Sequence, residues 1–82
     1  MKQSANLSSL REGERCCIGE LKLNGRMRSR LRDLGLIEGA YVECLHRSAS
    51  GDPAAYLICG AVIALRNEDT SRITIEKTAV TH

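Results

Sequence analysis

The spacing of apolar positions changes along the chain, and each change predicts an element boundary. Met27, Leu31 and Leu34 recur at i, i+4 and i+7, the spacing of one helix face. Asn24 or Gly25 stands near the start of that helix. Gly35 follows its last apolar position, where a left-handed C-terminal cap suits glycine. Leu36 falls where the hydrophobic contact of such a cap belongs. The stretch "AYVECLHR" (40–47) then mixes branched, aromatic and charged residues with a period near two, which predicts a strand. "ERCCIGEL" (14–21) reads as an earlier strand, with Cys16 and Ile18 facing inward, Cys17 outward and Gly19 a candidate bulge. "RITIEK" (72–77) alternates Ile73 and Ile75 inward with Thr74 and Glu76 outward. "AYLICGAVIALR" (55–66) is long for one strand, so Gly60 either divides it into a hairpin or bends it sharply.

The remaining stretches are connections. "LSSLREGE" (7–14) predicts a short turn or helical piece leading into Gly13. "SASGDPAA" (48–55) is loop by composition, and Pro53 bars helix at Asp52. "NEDTS" (67–71) predicts a single turn capped by Asn67, and the last five residues a frayed tail. Short strands separated by glycine turns predict a mainly β protein, a small closed or half-closed barrel with one helix over an open side.

Composition sharpens this picture in three ways. The 82 residues suffice for one domain, expected to span 1–82 with a core from about residue 7 to 77. There is no Trp, no Phe and only two Tyr, so the core must be aliphatic. The net charge of +2 forces no nucleic-acid reading, and Tyr41 and Tyr56 alone make a poor stacking platform for bases. The N-terminus lacks the apolar segment of a signal peptide. The longest apolar run is broken by Gly60 and falls short of the roughly 20 residues of a membrane span. A cytoplasmic protein that is not membrane-embedded is the expectation.

Catalytic and metal chemistry find little support. Cys16, Cys17, Cys44 and Cys59 contain no C-x-x-C pair, and they read as reduced, mostly apolar side chains. Gly19 and Gly25 are one residue too far apart for a phosphate loop, and Arg26-Met27 replaces its Lys-Ser/Thr. His46 and His82 are the only histidines, and no carboxylate pair has a spacing that argues for acid–base work. No catalytic residue, cofactor or metal ligand is therefore expected. The sharpest charge feature is Arg26, Arg28, Arg30 and Arg32, two i, i+4 pairs on different sides of the helix. They are the candidate docking surface for an acidic or phosphate-bearing partner.

The run "RLRDLGLIEGAYVE" (30–43), then "GDP" (51–53), Gly60 and "IALRNED" (63–69), resembles the FeoA family of bacterial ferrous iron transport accessory proteins. The similarity runs from Leu7 to Lys77. Its landmarks here are Leu34, Gly35, Leu36, Gly39, Gly51, Asp52, Pro53, Gly60, Leu65 and Arg66. Thr70 stands where alanine is usual, and Cys16-Cys17 is not a family hallmark. The resemblance implies an SH3-like β-barrel with an inserted helix. It also implies a non-catalytic role on the cytosolic region of the FeoB transporter. Gly35 and Gly39 then read as structural glycines at the helix exit. An alternative is a regulatory SH3-like domain in iron-responsive transcription or nucleic-acid binding, because the fold also occurs in iron-dependent repressors.

Overall fold

A computed structural model describes residues 5–77, so the ends read as frayed lie outside the described residues. Strand β1 (Ala5–Asn6) leads through a 3-10 turn (Leu7–Ser9) to β2 (Arg15–Leu21) and helix α1 (Gly25–Asp33). β3 (Tyr41–Arg47), β4 (Ala54–Ile58) and β5 (Ala61–Leu65) follow. A single helical turn, α2 (Asn67–Thr70), precedes β6 (Ile73–Lys77). All ladders are antiparallel, in the order β1-β6-β2-β3-β4-β5. Among the described residues no ladder joins β5 back to β1, so the barrel is open on that side.

The inward side chains fill an aliphatic core around Leu7, Leu10, Leu36, Val42, Ile58 and Ile73, with Tyr56 its largest fully buried member. Cys16, Ile18, Ile73 and Ile75 point inward as the strand periodicity predicts, and Cys17 is half-buried. The β2–β6 register shifts between Ile18 and Leu21, which places the bulge at Gly19. A Cβ at Gly19 would lie 2.5 Å from Thr74 Oγ1, so only glycine admits this close approach. The hydroxyl of Thr74 in turn accepts the Glu20 N–H at 2.7 Å.

The 55–66 stretch is a hairpin, not a bent strand. Cys59 (φ +50°) and Gly60 (φ +81°) form its two-residue turn, the left-handed pair that matches strand twist. Strand β1 was not foreseen, since two residues are too few to show a period. A second register shift, between Cys44 and His46, inverts the faces at the end of β3. His46 is thereby exposed, and Arg47 turns half inward.

Candidate docking surface

Helix α1 is delimited at both ends by its sequence. The Asn24 side chain accepts the Met27 N–H at 3.0 Å, an N-cap that satisfies one free donor of the first turn. At the other end Leu36 N–H reaches Leu31 O and Gly35 N–H reaches Arg32 O, both at 2.9 Å. That double bond pattern is a Schellman cap, with Gly35 at φ +101° and Leu36 fully buried. A Cβ on Gly35 would stand 2.6 Å from Cys59 Sγ, so glycine is required twice, by dihedral and by contact. Gly39, Gly51 and Gly60 also have positive φ. Leu34, expected on the apolar face, is 45% exposed. As the C-cap residue it has rotated past the contact, leaving Leu31 buried and Met27 half-buried.

The four arginines of α1 are all exposed. Among the described residues the ion pair Arg15–Glu43 and the close contact of Glu12 with His46 both lie off α1. The helix divides them as its period requires. Arg28 and Arg32 line a cleft of about 370 Å³ with Gly19, Glu20, Ile37 and Glu38. Arg30 instead borders a second groove, between α1 and β5. Arg30 and Arg32 sit in the last turn, where positive charge complements the helix dipole.

The "GDP" landmark gathers around a residue the sequence did not single out. The Arg47 guanidinium donates through Nε and Nη2 to Leu10 O (3.0 and 2.6 Å) and through Nη2 to Ser8 O (2.7 Å). Its Nη1 donates to Gly51 O at 3.3 Å and to Asn67 Oδ1 at 3.5 Å. Asp52 Oδ1 accepts the Asn67 N–H at 2.9 Å, and Asn67 Nδ2 donates to Gly51 O at 3.3 Å. Asp52 therefore supplies the cap expected from Asn67, and Arg66 occupies the N-cap position without a side-chain bond. These bonds join "GDP" to "LRN": the sequence landmarks there are a structural clasp. Pro53 and Arg66 are exposed, and Leu65 is in the core.

Two titratable groups sit against this clasp. Burial pushes the Tyr56 phenol above its ordinary value, partly offset by the Arg47 charge, and its hydroxyl donates to Leu7 O at 3.5 Å. Burial also raises the Cys44 thiol, again against the pull of Arg47. Cys16 is buried and Cys59 exposed. Among the described residues no group of three or more His, Cys, Asp or Glu side chains could hold a metal ion. No helix there is long and apolar enough to cross a membrane.

An open antiparallel barrel with one short helix inserted between its second and third strands defines an SH3-like domain. Residues 5–77 match the family model of the FeoA domain, and the chain belongs to the FeoA family. That membership places it among accessory proteins of ferrous iron transport. The chain is similar to the solution structure of FeoA from Chlorobium tepidum, with a TM-score of 0.88 and 29% identity. The match covers 95% of this chain and 74% of that one. FeoA of Stenotrophomonas maltophilia, solved with zinc and described as a prokaryotic SH3 domain protein, superposes with a TM-score of 0.74 at 24% identity. It covers 88% of this chain and 89% of that one. IdeR of T. acidophilum shares the fold at 16% identity, with a TM-score of 0.81 over 95% of this chain and 36% of its own. No curated protein sequence matches the chain significantly.

Proposed function

We propose that this protein is a non-catalytic cytoplasmic accessory factor that docks on the cytosolic region of the FeoB ferrous iron transporter. One observation carries the reading. A member of a ferrous iron transport family presents four exposed arginines on one short helix, none of them in an ion pair among the described residues. Long side chains left unpaired and solvated are available to steer an acidic partner.

Titration of the labelled protein with the transporter's cytosolic region, at low and high salt, tests this. Arg28→Glu with Arg32→Glu, one i, i+4 pair beside the same cleft, should weaken association and flatten its salt dependence. Circular dichroism should show the fold intact. Association that ignores the reversal moves the docking surface off this face, and absent association removes the transporter reading. The isolated protein should neither hydrolyse GTP nor bind Fe²⁺ tightly. Stoichiometric Fe²⁺ binding under anaerobic conditions would favour an iron-responsive regulatory domain instead.

A further inference from the structure

The two edges of the sheet differ. β1 is two residues long, whereas β5 is five residues, Ala-Val-Ile-Ala-Leu, without charge or proline. Its ladder to β4 runs from Ala54–Leu65 to Ile58–Ala61 without a register shift. Proteins usually blunt such an edge with lysine, proline or a bulge, because it is a template for further pairing. The two-residue turn makes Ile58 and Ala61 a hydrogen-bonded pair. Alternation then directs the amides and carbonyls of Val62 and Ala64 away from β4. Among the described residues no turn or loop backbone bond reaches either residue. Val62 is 65% exposed.

Beside this edge runs a groove of about 230 Å³, with Met27, Leu31 and Leu34 of α1 facing Ile63 and Leu65. Arg30 and Arg66 border it, against a single carboxylate, Asp69. Charge selects the occupant. A second copy paired through its own β5 would bring two arginine helices toward one another, and such like-charge approach is unfavourable. An extended segment with carboxylates at its ends would instead meet Arg30 and Arg66.

We propose that β5 is a strand-addition site for an extended segment of a protein partner, with alternate apolar side chains and acidic flanks. Main-chain bonds to Val62 and Ala64 supply the pairing, and the groove receives the apolar side chains. The proposal deepens the docking reading above and rests on it for the existence of a protein partner.

The probe is a synthetic peptide of about eight residues, a usual strand length, alternating valine and threonine with glutamates at both ends. Amide exchange in the full-length protein is followed by NMR. With the peptide, the Val62 and Ala64 amides should exchange at least about tenfold more slowly. A lysine-ended peptide should protect them less, and one N-methylated along its pairing edge not at all. Ala64→Pro removes an outward donor while leaving the β4 ladder whole, and should abolish protection. Unprotected Val62 and Ala64 amides with the glutamate-ended peptide overturn the proposal. So does protection that grows with protein concentration alone, which would assign the edge to a second copy. The transporter's cytosolic region, used in the same experiment, separates the two readings. Binding that leaves both amides unprotected overturns the edge site and keeps the docking reading. Peptide protection without transporter binding supports the edge site and removes the transporter.

Discussion

Arg47 and the arginines of α1 carry the same guanidinium into different surroundings. Arg47 is half-buried and spends its donors on the carbonyls of Ser8, Leu10 and Gly51 and on Asn67. Arg26, Arg28, Arg30 and Arg32 are exposed on a helix whose carbonyls are largely engaged within it, so their donors face water. The difference lies in the backbone around each residue. A loop and a 3-10 turn leave carbonyls unpaired, and one arginine satisfies several together while also reaching the Asn67 side-chain oxygen. The clasp end therefore holds the fold, and the α1–β5 side remains available for a partner.

The comparison breaks most readily at Arg47. Arg47→Met keeps much of the aliphatic stem but orphans carbonyls in a half-buried setting, and should destabilise the domain by about 2–4 kcal/mol. The same change at Arg28 should stay within about 0.5 kcal/mol. Urea midpoints and slopes for the two variants decide the matter. Equal losses would show that the clasp bonds contribute nothing beyond an ordinary surface arginine.

Gly35 belongs to the α1–β5 side, where it closes α1 against the turn of the β4–β5 hairpin. Gly35→Val must place a branched residue at φ +101° and move Cys59 Sγ away from the new Cβ. A loss of about 1–3 kcal/mol is expected. Gly39→Val meets only the dihedral strain, because no atom lies within 4 Å of a Cβ there, and should lose less. If Gly39→Val proves the more damaging, the contact with Cys59 is not what constrains the helix exit.

What could be read in the sequence follows the range of the interactions. The helix start near Asn24 or Gly25, the Gly35 stop, the Gly19 bulge and the inward Ile73 and Ile75 depend on residues close in the chain or on strand period, and all were legible. Long-range partners were not. Asn67 looked like a cap because its neighbours suit one, yet the N–H at its own position is met by Asp52, fifteen residues earlier. Arg47 had no distinguishing signal in the strand pattern; the register shift between Cys44 and His46 turns it half inward. Leu34 fitted the helix period but lies at the cap, where the helix no longer holds it against the core. The "GDP" landmark could be recognised without showing what it does; the Asp52–Asn67 and Arg47–Gly51 bonds tie it to Asn67, the residue after "ALR", and to the end of β3. The arginine surface was legible as charge, while the open β5 edge emerged only with the strand order.

The smallest expected effect concerns pH, and it tests whether the clasp end is as dry as its burial implies. Desolvation raises both the Cys44 thiol and the Tyr56 phenol above their ordinary values of 9.0 and 10.0, with the Arg47 charge opposing the rise in each case. The folded protein thus holds these protons more tightly than the unfolded chain does. Their contribution to stability is full below the ordinary values and is lost as pH rises through the raised folded ones. Unfolding free energy from urea titrations should therefore fall on the alkaline side, beginning near the ordinary thiol value. Cys44→Ala and Tyr56→Phe should each lose stability at neutral pH, through a small cavity and a lost hydrogen bond to Leu7 O, yet show a shallower alkaline decline. The slope is the informative quantity, because packing losses shift the whole curve while a removed titration changes its shape. Arg47→Met should steepen the decline, since the cation that opposes desolvation is gone. A slope unchanged in all three variants would mean that water reaches this end of the barrel and that the contrast with the α1–β5 side is one of geometry alone.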